Sequence, residues 1–247
     1  MSYSDFAVVY DCLQSDVDYK ARAEYLLGLF KRYDRLPTLL LDMACGTGGF
    51  SLCFADKGID VIGVDPSAEM LQIAKNKAEK QQKELLLLCQ SAAELDLYGT
   101  VDGAVCCLDS INHIIDEDEL QESFDKISLF LEPGRLFIFD VNTEYKHREI
   151  LSGNTFVYDT DEVYCVWSNS PCDDEGIVDI HLDFFQKQSN GSYVKTSEEF
   201  SERAYKEETL EKMLQKAGLE VLVVLGDMTE RKAECTDERI IFVTRKR

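Results

Sequence analysis

Between Thr38 and Asp140 short apolar runs alternate with segments of helical periodicity, and this rhythm constrains the fold more than any other feature. Runs at 38–42, 59–64, 84–89, 101–108 and 135–140 have the length and character of buried strands. Between them, Phe50, Leu52, Cys53 and Phe54 mark a buried helix stopped by Gly58. Ser67 is placed to cap a helix carrying Met70, Leu71, Ala74 and Ala78, and 118–131 turns Leu120, Phe124, Ile127 and Phe130 inward. Strands joined through helices must run parallel, and a parallel sheet is covered on both faces. The expected fold is therefore α/β and doubly wound.

The flanks depart from that rhythm. Ala23, Leu26, Leu27 and Phe30 share one face of a helix over 19–33, which Pro37 ends. From about 156 to 204 strand patterns and turns occur without a helix. In "IVDIHLDFF", Val178, Ile180, Leu182 and Phe184 fall on one face, and Asp179, His181 and Asp183 on the other. That is a half-buried antiparallel strand, and "SNGS" at 189–192 reads as a hairpin turn. Trp167 sits at the centre of another strand. Helix resumes over 206–217, stopped by Gly218, and two strands follow at 219–225 and 239–244. The expected organisation is an N-terminal helical cap (1–36), a main domain (37–147 and 204–247) and an inserted antiparallel sheet of three or four strands (148–203).

Charge and cysteine content narrow the partners. A formal net charge of -21 over 247 residues repels phosphate backbones. Nucleic acid is thus an unfavourable partner, and a small molecule or a basic protein fits better. The 9 cysteines include no Cys-x-x-Cys pair and several lie in apolar runs, as reduced buried side chains do. The three histidines, His113, His147 and His181, lack zinc-like spacing, so no metal is expected. "MSYSDFAVVYDCL" has no signal-peptide pattern, and no apolar run nears the roughly 20 residues of a membrane span. A cytoplasmic monomer or homodimer without membrane attachment is expected.

The glycine cluster after the first strand indicates the ligand. A dinucleotide site wants Gly-x-Gly-x-x-Gly with an acid about 20 residues on. Gly46 and Gly48 supply two glycines, Ser51 stands at the third position, and Asp65 follows Gly46 by 19 residues. Asp42 ends the strand where a pyrophosphate would lie, and its charge would repel one. It would instead attract an ammonium group, directly or through water. An amino-acid head, a ribose for Asp65 and an adenine beyond describe S-adenosylmethionine.

"LDMACGTG" and "GVDPSAEML" resemble the first two motifs of the class I S-adenosylmethionine-dependent methyltransferases, and the resemblance runs over 39–142 and more loosely to the C-terminus. It implies a seven-stranded sheet, six strands parallel and the last antiparallel. "CQSAAEL" stands where the family lines the adenine, "LDSINHI" borders the methyl-transfer site, and "LEPGRLFIFDVNT" resembles the family's Pro-Gly turn and fifth strand. The chain resembles in particular the glycine/sarcosine and amino-sugar N-methyltransferases, which also carry an antiparallel insert before the last helix. The resemblance implies cofactor contacts from Asp42, Ala44, Gly46, Thr47, Gly48, Asp65, Pro66, Met70, Ser91, Ala92, Leu108 and Asp109. Relatives often hold the adenine amino group with an acid where Ser91 stands, and a serine there binds more weakly.

Methyl transfer needs nucleophile, methyl and sulfur held in line and water excluded. His113, following the fourth strand, is the candidate proton acceptor. Asn112, His113, Asn142, Tyr205 and Tyr10 are candidates to line the acceptor pocket; the alternative readings are a solvated loop for Asp109, Ser110 and Asn112, a core tyrosine for Tyr205 and plain packing for Tyr10. The expected activity is S-adenosylmethionine-dependent methylation of a small molecule, at nitrogen rather than oxygen, with the insert over the acceptor. The rivals are an NAD-dependent oxidoreductase and a non-catalytic S-adenosylmethionine-binding module.

Overall fold

Leu39–Met43 is apolar except for Asp42 and is buried from Leu40 onward, as a central strand covered on both faces must be. A computed structural model of the chain describes residues 11, 14, 16–161, 163–188 and 190–247. In chain order, α1 (Tyr19–Tyr33) precedes β1 (Leu39–Met43), α2 (Gly49–Asp56), β2 (Asp60–Asp65), α3 (Ala68–Lys80), β3 (Leu86–Cys89), β4 (Gly103–Cys106), α4 (Glu117–Phe130) and β5 (Leu136–Asn142). A π-helical turn, Lys146–Leu151, leads to β6 (Thr155–Asp159), β7 (Val163–Asn169), β8 (Ile177–Lys187) and β9 (Tyr193–Arg203). The chain closes with α5 (Glu207–Lys216), β10 (Leu219–Gly226) and β11 (Arg239–Lys246).

The main sheet has seven strands in the order β10-β11-β5-β4-β1-β2-β3. Only β11 runs against its neighbours, as the resemblance implied. Successive residues of each strand serve opposite faces. Leu40, Val61, Val105, Ile138 and Ile241 pack under α1 and α2 through Leu26, Phe30, Phe50 and Phe54. Leu41, Val64, Ala104, Phe137 and Phe139 pack under α4 and α5 through Leu120, Phe124, Ile127, Leu210 and Leu214. Ser67 caps α3 by accepting from the Met70 N–H, as its position suggested.

The second sheet has four antiparallel strands in the order β6-β7-β8-β9. On β8, Val178, Ile180, Leu182 and Phe184 are buried, which is the face read from the alternation. They form a third core with Val163, Cys165 and Leu151, and Met70 of α3 joins it. The insert therefore sits on the helix that follows β2, above the carboxyl ends of the strands. No helix among the described residues is long and apolar enough to cross a membrane.

Two local features differ from the sequence reading. The run 101–108 shrinks to Gly103–Cys106, because Leu108 and Asp109 adopt left-handed backbone (φ 55° and 53°) and Val101 keeps only a bridge to Leu131. The π-turn at Lys146–Leu151 was not expected, since its polar sequence has no helical periodicity.

Candidate functional site

The carboxyl ends of β1, β2, β4 and β5 open one crevice. β1 and β4 are neighbours, so the chain order reverses there, where open α/β sheets bind ligands. Left-handed backbone concentrates at this edge, at Ala44 (φ 56°), Leu108 and Asp109 beside Gly46 (φ 52°) and Gly48 (φ 78°). For non-glycine residues such backbone costs roughly 1–3 kcal/mol each and persists where the surroundings enforce it. Gly48 is the N-cap of α2, and a Cβ on it would stand 3.0 Å from the Ala74 Cβ. Gly46 differs: a Cβ there would meet nothing within 4 Å, so its bare backbone faces open space.

Asp65 ends β2 and ties the glycine loop to α3. Oδ2 accepts from Gly46 N–H at 2.9 Å and Oδ1 from Ser67 N–H at 2.8 Å. Burial raises its pKa against these two donors. Each oxygen keeps a lone pair for a further donor. Asp42 is only 1% exposed and accepts from the Ser51 hydroxyl. Burial, opposed by Ser51 and reinforced by the charge of Asp65, pushes it up to about 7. It borders a cavity of about 30 Å³ shared with Tyr19, Ala44, Thr47, Leu108 and Ser110, large enough for one water.

The raised Asp42 pKa fixes a sign. An unfolded aspartate titrates near 3.9, so between pH about 4 and about 7 the native chain binds the extra proton. The contribution to stability is fully present below pH about 4 and is lost as pH rises through about 7. Asp42→Asn is expected to match wild type at pH 4 and to exceed it at pH 8 by as much as about 4 kcal/mol in denaturant melts. Parallel pH profiles for the two proteins would refute the assignment.

A second carboxylate set closes the β4 and β5 side. Asp140 of β5 accepts from Leu108 N–H at 2.9 Å and Asp109 N–H at 2.8 Å, which holds the left-handed turn. Arg239 of β11 bridges Asp140 and Asp109, donating to Asp109 Oδ1 at 2.8 Å. Burial opposes the Asp109 charge, yet Arg239, Lys146 and His113 hold its carboxyl well below the usual carboxylate range. Burial and Arg239 lower the Lys146 pKa, and Lys146 donates to Asn142 Oδ1 at 3.0 Å.

Asn112 is wholly buried and joins three segments. Its amide donates to Asn142 O (3.0 Å) and Arg203 O (2.9 Å) and accepts from Asn142 N–H (2.9 Å). Asn142 in turn donates to Asp109 at 2.8 Å and to Glu202 at 3.2 Å. These amides pin the β4 loop, β5 and β9 together, and each of their side-chain nitrogens and oxygens already has a partner. His113 stands beside them on a 3₁₀ turn (Ser110–His113). Ligand atoms of Asp109, His113 and Glu202 come within 4.8 Å of one another, but Arg239, Asn142 and Lys146 already answer the negative charge.

The remaining sequence-derived residues scatter around this centre. The Thr47 hydroxyl donates to Asp11 (2.7 Å) and accepts from Lys77 (2.9 Å). Ser91 donates to Glu94 at 3.0 Å, which brings a carboxylate next to the serine. Pro66 is exposed, Ala92 is half-buried against the core, and Met70 lies in the insert's core. Tyr205 is buried in the main core and donates to Ile114 O at 2.5 Å. Tyr10 lies outside the described residues. Sequence reasoning missed Asp140, Lys146, His147, Glu202 and Arg239. Asp140 had a visible signal, since "FIFD" repeats the apolar-run-then-acid pattern of "LLLD" and "VIGVD". Glu202 and Arg239 reach the site from distant strands and carry none.

Comparison with known proteins shows similarity to methyltransferases. The family described as "Methyltransferase domain" matches residues 40–134. A protein of Geobacillus sp. (strain WCH70), named as a methyltransferase, is 32% identical over 247 residues, covering 100% of both chains. The solved structure of an S-adenosylmethionine-dependent methyltransferase from Clostridium acetobutylicum ATCC 824 superposes with a TM-score of 0.90 at 36% identity, over 99% of this chain and 98% of the other. The sugar N-methyltransferase KedS8 from Streptoalloteichus sp. shares the fold at 20% identity and a TM-score of 0.78, over 97% and 93% of the chains.

Proposed function

The chain belongs to the class I S-adenosylmethionine-dependent methyltransferases, and from that premise we propose that it methylates the nitrogen of a small molecule held between the β4 and β5 ends and the insert. The residues of the crevice suit the cofactor. Gly46 offers bare backbone to open space, Asp65 has lone pairs for ribose hydroxyls, and Ser91 with Glu94 offers polar atoms to an adenine edge. Asp42 faces a one-water cavity, so it reaches an ammonium group through water. When bound, S-adenosylmethionine supplies a methyl group activated on a sulfonium. The chain's own task is to orient the acceptor, exclude water and handle a proton.

The observation that carries the small-molecule reading is the junction of insert and main sheet. Glu202 and Arg203 of β9 meet Asn112 and His113 of the β4 loop, which roofs the acceptor end of the crevice. A roof built from one chain favours a compact acceptor over an extended polymer. We read the insert as the acceptor lid. The shared fold of a sugar N-methyltransferase, insert included, supports nitrogen as the target. The free state of every described cysteine supports a cytoplasmic location.

Thermal shift with S-adenosylmethionine, S-adenosylhomocysteine and NAD separates the rivals. The first two are expected to raise Tm and NAD to leave it unchanged. A screen of amines, alcohols and carboxylic acids, read by S-adenosylhomocysteine formation, is expected to find turnover among the amines. Turnover confined to alcohols or acids would contradict the nitrogen assignment, and stabilisation by NAD alone would contradict the cofactor.

A further inference from the structure

Glu202 ends β9 with its carboxylate buried, 4% exposed, where strand pairing does not require an acid. Burying a carboxylate is costly unless charged or polar groups face it. Asn142 Nδ2 donates to Oε2 at 3.2 Å. His113 Nε2 lies 3.6 Å from Oε1, and His147 Nε2 lies 3.6 Å from Oε2. These are ion-pair separations, longer than hydrogen bonds.

The two imidazoles differ. His147 is wholly buried, and its Nδ1 sits 3.0 Å from the Gly176 carbonyl, which only accepts, so that nitrogen carries the hydrogen. Its buried Nε2 has no hydrogen-bond partner and faces Glu202 alone. His147 thus forms a fixed wall on one side of the carboxylate. His113 forms the other side, with its side chain 35% exposed and its ring packed 5.0 Å from that of Phe200.

We propose that Glu202 is a positioning residue that makes His113 the proton acceptor for an amine at this end of the crevice, an inference that rests on the small-molecule N-methylation reading above. At 3.6 Å it is the charge of the carboxylate, not a hydrogen bond, that favours the ring hydrogen on the facing Nε2. Nδ1 of His113, which has no hydrogen-bond partner among the described residues, keeps its lone pair. An acceptor that arrives as an ammonium ion gives one proton to Nδ1. The acceptor N–H bond breaks, the Nδ1–H bond forms, and the nitrogen retains the electron pair that makes it a nucleophile. The exposed ring then releases the proton to water.

The other charges around His113 leave this role to Glu202. Asp109, on its own turn, has Arg239 of β11 on one oxygen and Asn142 of β5 on the other. Asp140 of β5 is likewise bridged by Arg239. Arg203, beside Glu202 on β9, is directed to Ile115 O and Glu117. Lys146 lies near Asp109 and Glu202, with its own charge weakened by burial. Asp65 of β2 stands across the crevice, near enough to interact with the imidazolium charge.

Nitrogen-15 NMR of the imidazoles tests the proposal without cofactor or acceptor, and the chain has only 3 histidines to assign. Neutral His113 is expected as the Nε2–H tautomer. Glu202→Gln, which removes the charge and keeps the shape, is expected to move His113 measurably toward the Nδ1–H tautomer. Glu202→Asp keeps the charge but withdraws it and is expected to give a smaller tautomer shift. His181, paired with Asp183 and Glu199, is the internal reference. An unchanged tautomer ratio in Glu202→Gln would overturn the proposal, and so would a wild-type His113 carrying its hydrogen on Nδ1. The tautomer is read on wild type, so a variant that fails to fold does not block the test. Failure here leaves the amine screen standing, and failure of that screen leaves this result intact.

Discussion

Asp65→Ala is expected to weaken S-adenosylmethionine binding about a hundredfold or more while leaving a folded protein. The carboxylate is the acceptor proposed for two ribose hydroxyls. A hydrogen bond to a charged group contributes roughly 1.5–3 kcal/mol, so losing two removes about 3 kcal/mol or more. The same side chain accepts from Gly46 and Ser67, so the variant also frees two backbone donors at the loop that carries the ligand. The ligand-free protein is therefore expected to melt earlier too, which makes calorimetric Kd the decisive readout rather than Tm. Asp65→Asn keeps the volume and one acceptor oxygen and is expected to fall between. A Kd for Asp65→Ala within threefold of wild type would show that the acid at the end of β2 does not hold the ribose.

Arg239→Met is expected to produce the largest loss of stability of any single change near the site. Its guanidinium lies between Asp109 and Asp140, with side-chain exposures of 13%, 19% and 7%. Removing one partner of a buried ionic cluster typically costs 3–5 kcal/mol, because the remaining charges stay buried. For a domain of this size that corresponds to a fall in Tm on the order of 10 °C. The Asp109 carboxyl is held below its unfolded range chiefly by Arg239 working against burial. Its stabilising contribution is thus present above pH about 4 and is lost as pH falls through the lower native value. The gap between Arg239→Met and wild type should therefore narrow in acid. Arg239→Lys keeps the charge but not the two-pronged geometry and should recover only part of the loss. A variant melting within about 2 °C of wild type would show that Asp140 alone holds the left-handed turn.

The parallel core of the fold was legible because its central strands β1, β2, β4 and β5 are buried on two faces and read as apolar runs. The insert was legible from β8, whose alternation assigns Val178, Ile180, Leu182 and Phe184 to one side. The exact end of β4 was not, since its run continues through Cys107 and Leu108, and a distant carboxylate at Asp140 bends the backbone there. The proposed cofactor half of the site has a local signature because glycines and acids at fixed offsets serve a single strand–turn–helix unit. The proposed acceptor half has none. It is assembled from the β4 loop, the π-turn, β9 and β11, and Glu202 and Arg239 join it only through tertiary packing. Asn112 and Tyr205 were picked out by position, and the structure spends their polar atoms on backbone carbonyls and amides.

The most direct test is a crystal structure of the complex with S-adenosylhomocysteine. The account expects both ribose hydroxyls on the Asp65 carboxylate, the homocysteine end over the open face of Gly46, and a water between its ammonium group and Asp42. A ligand lying elsewhere, or one whose ribose turns away from Asp65, would contradict it.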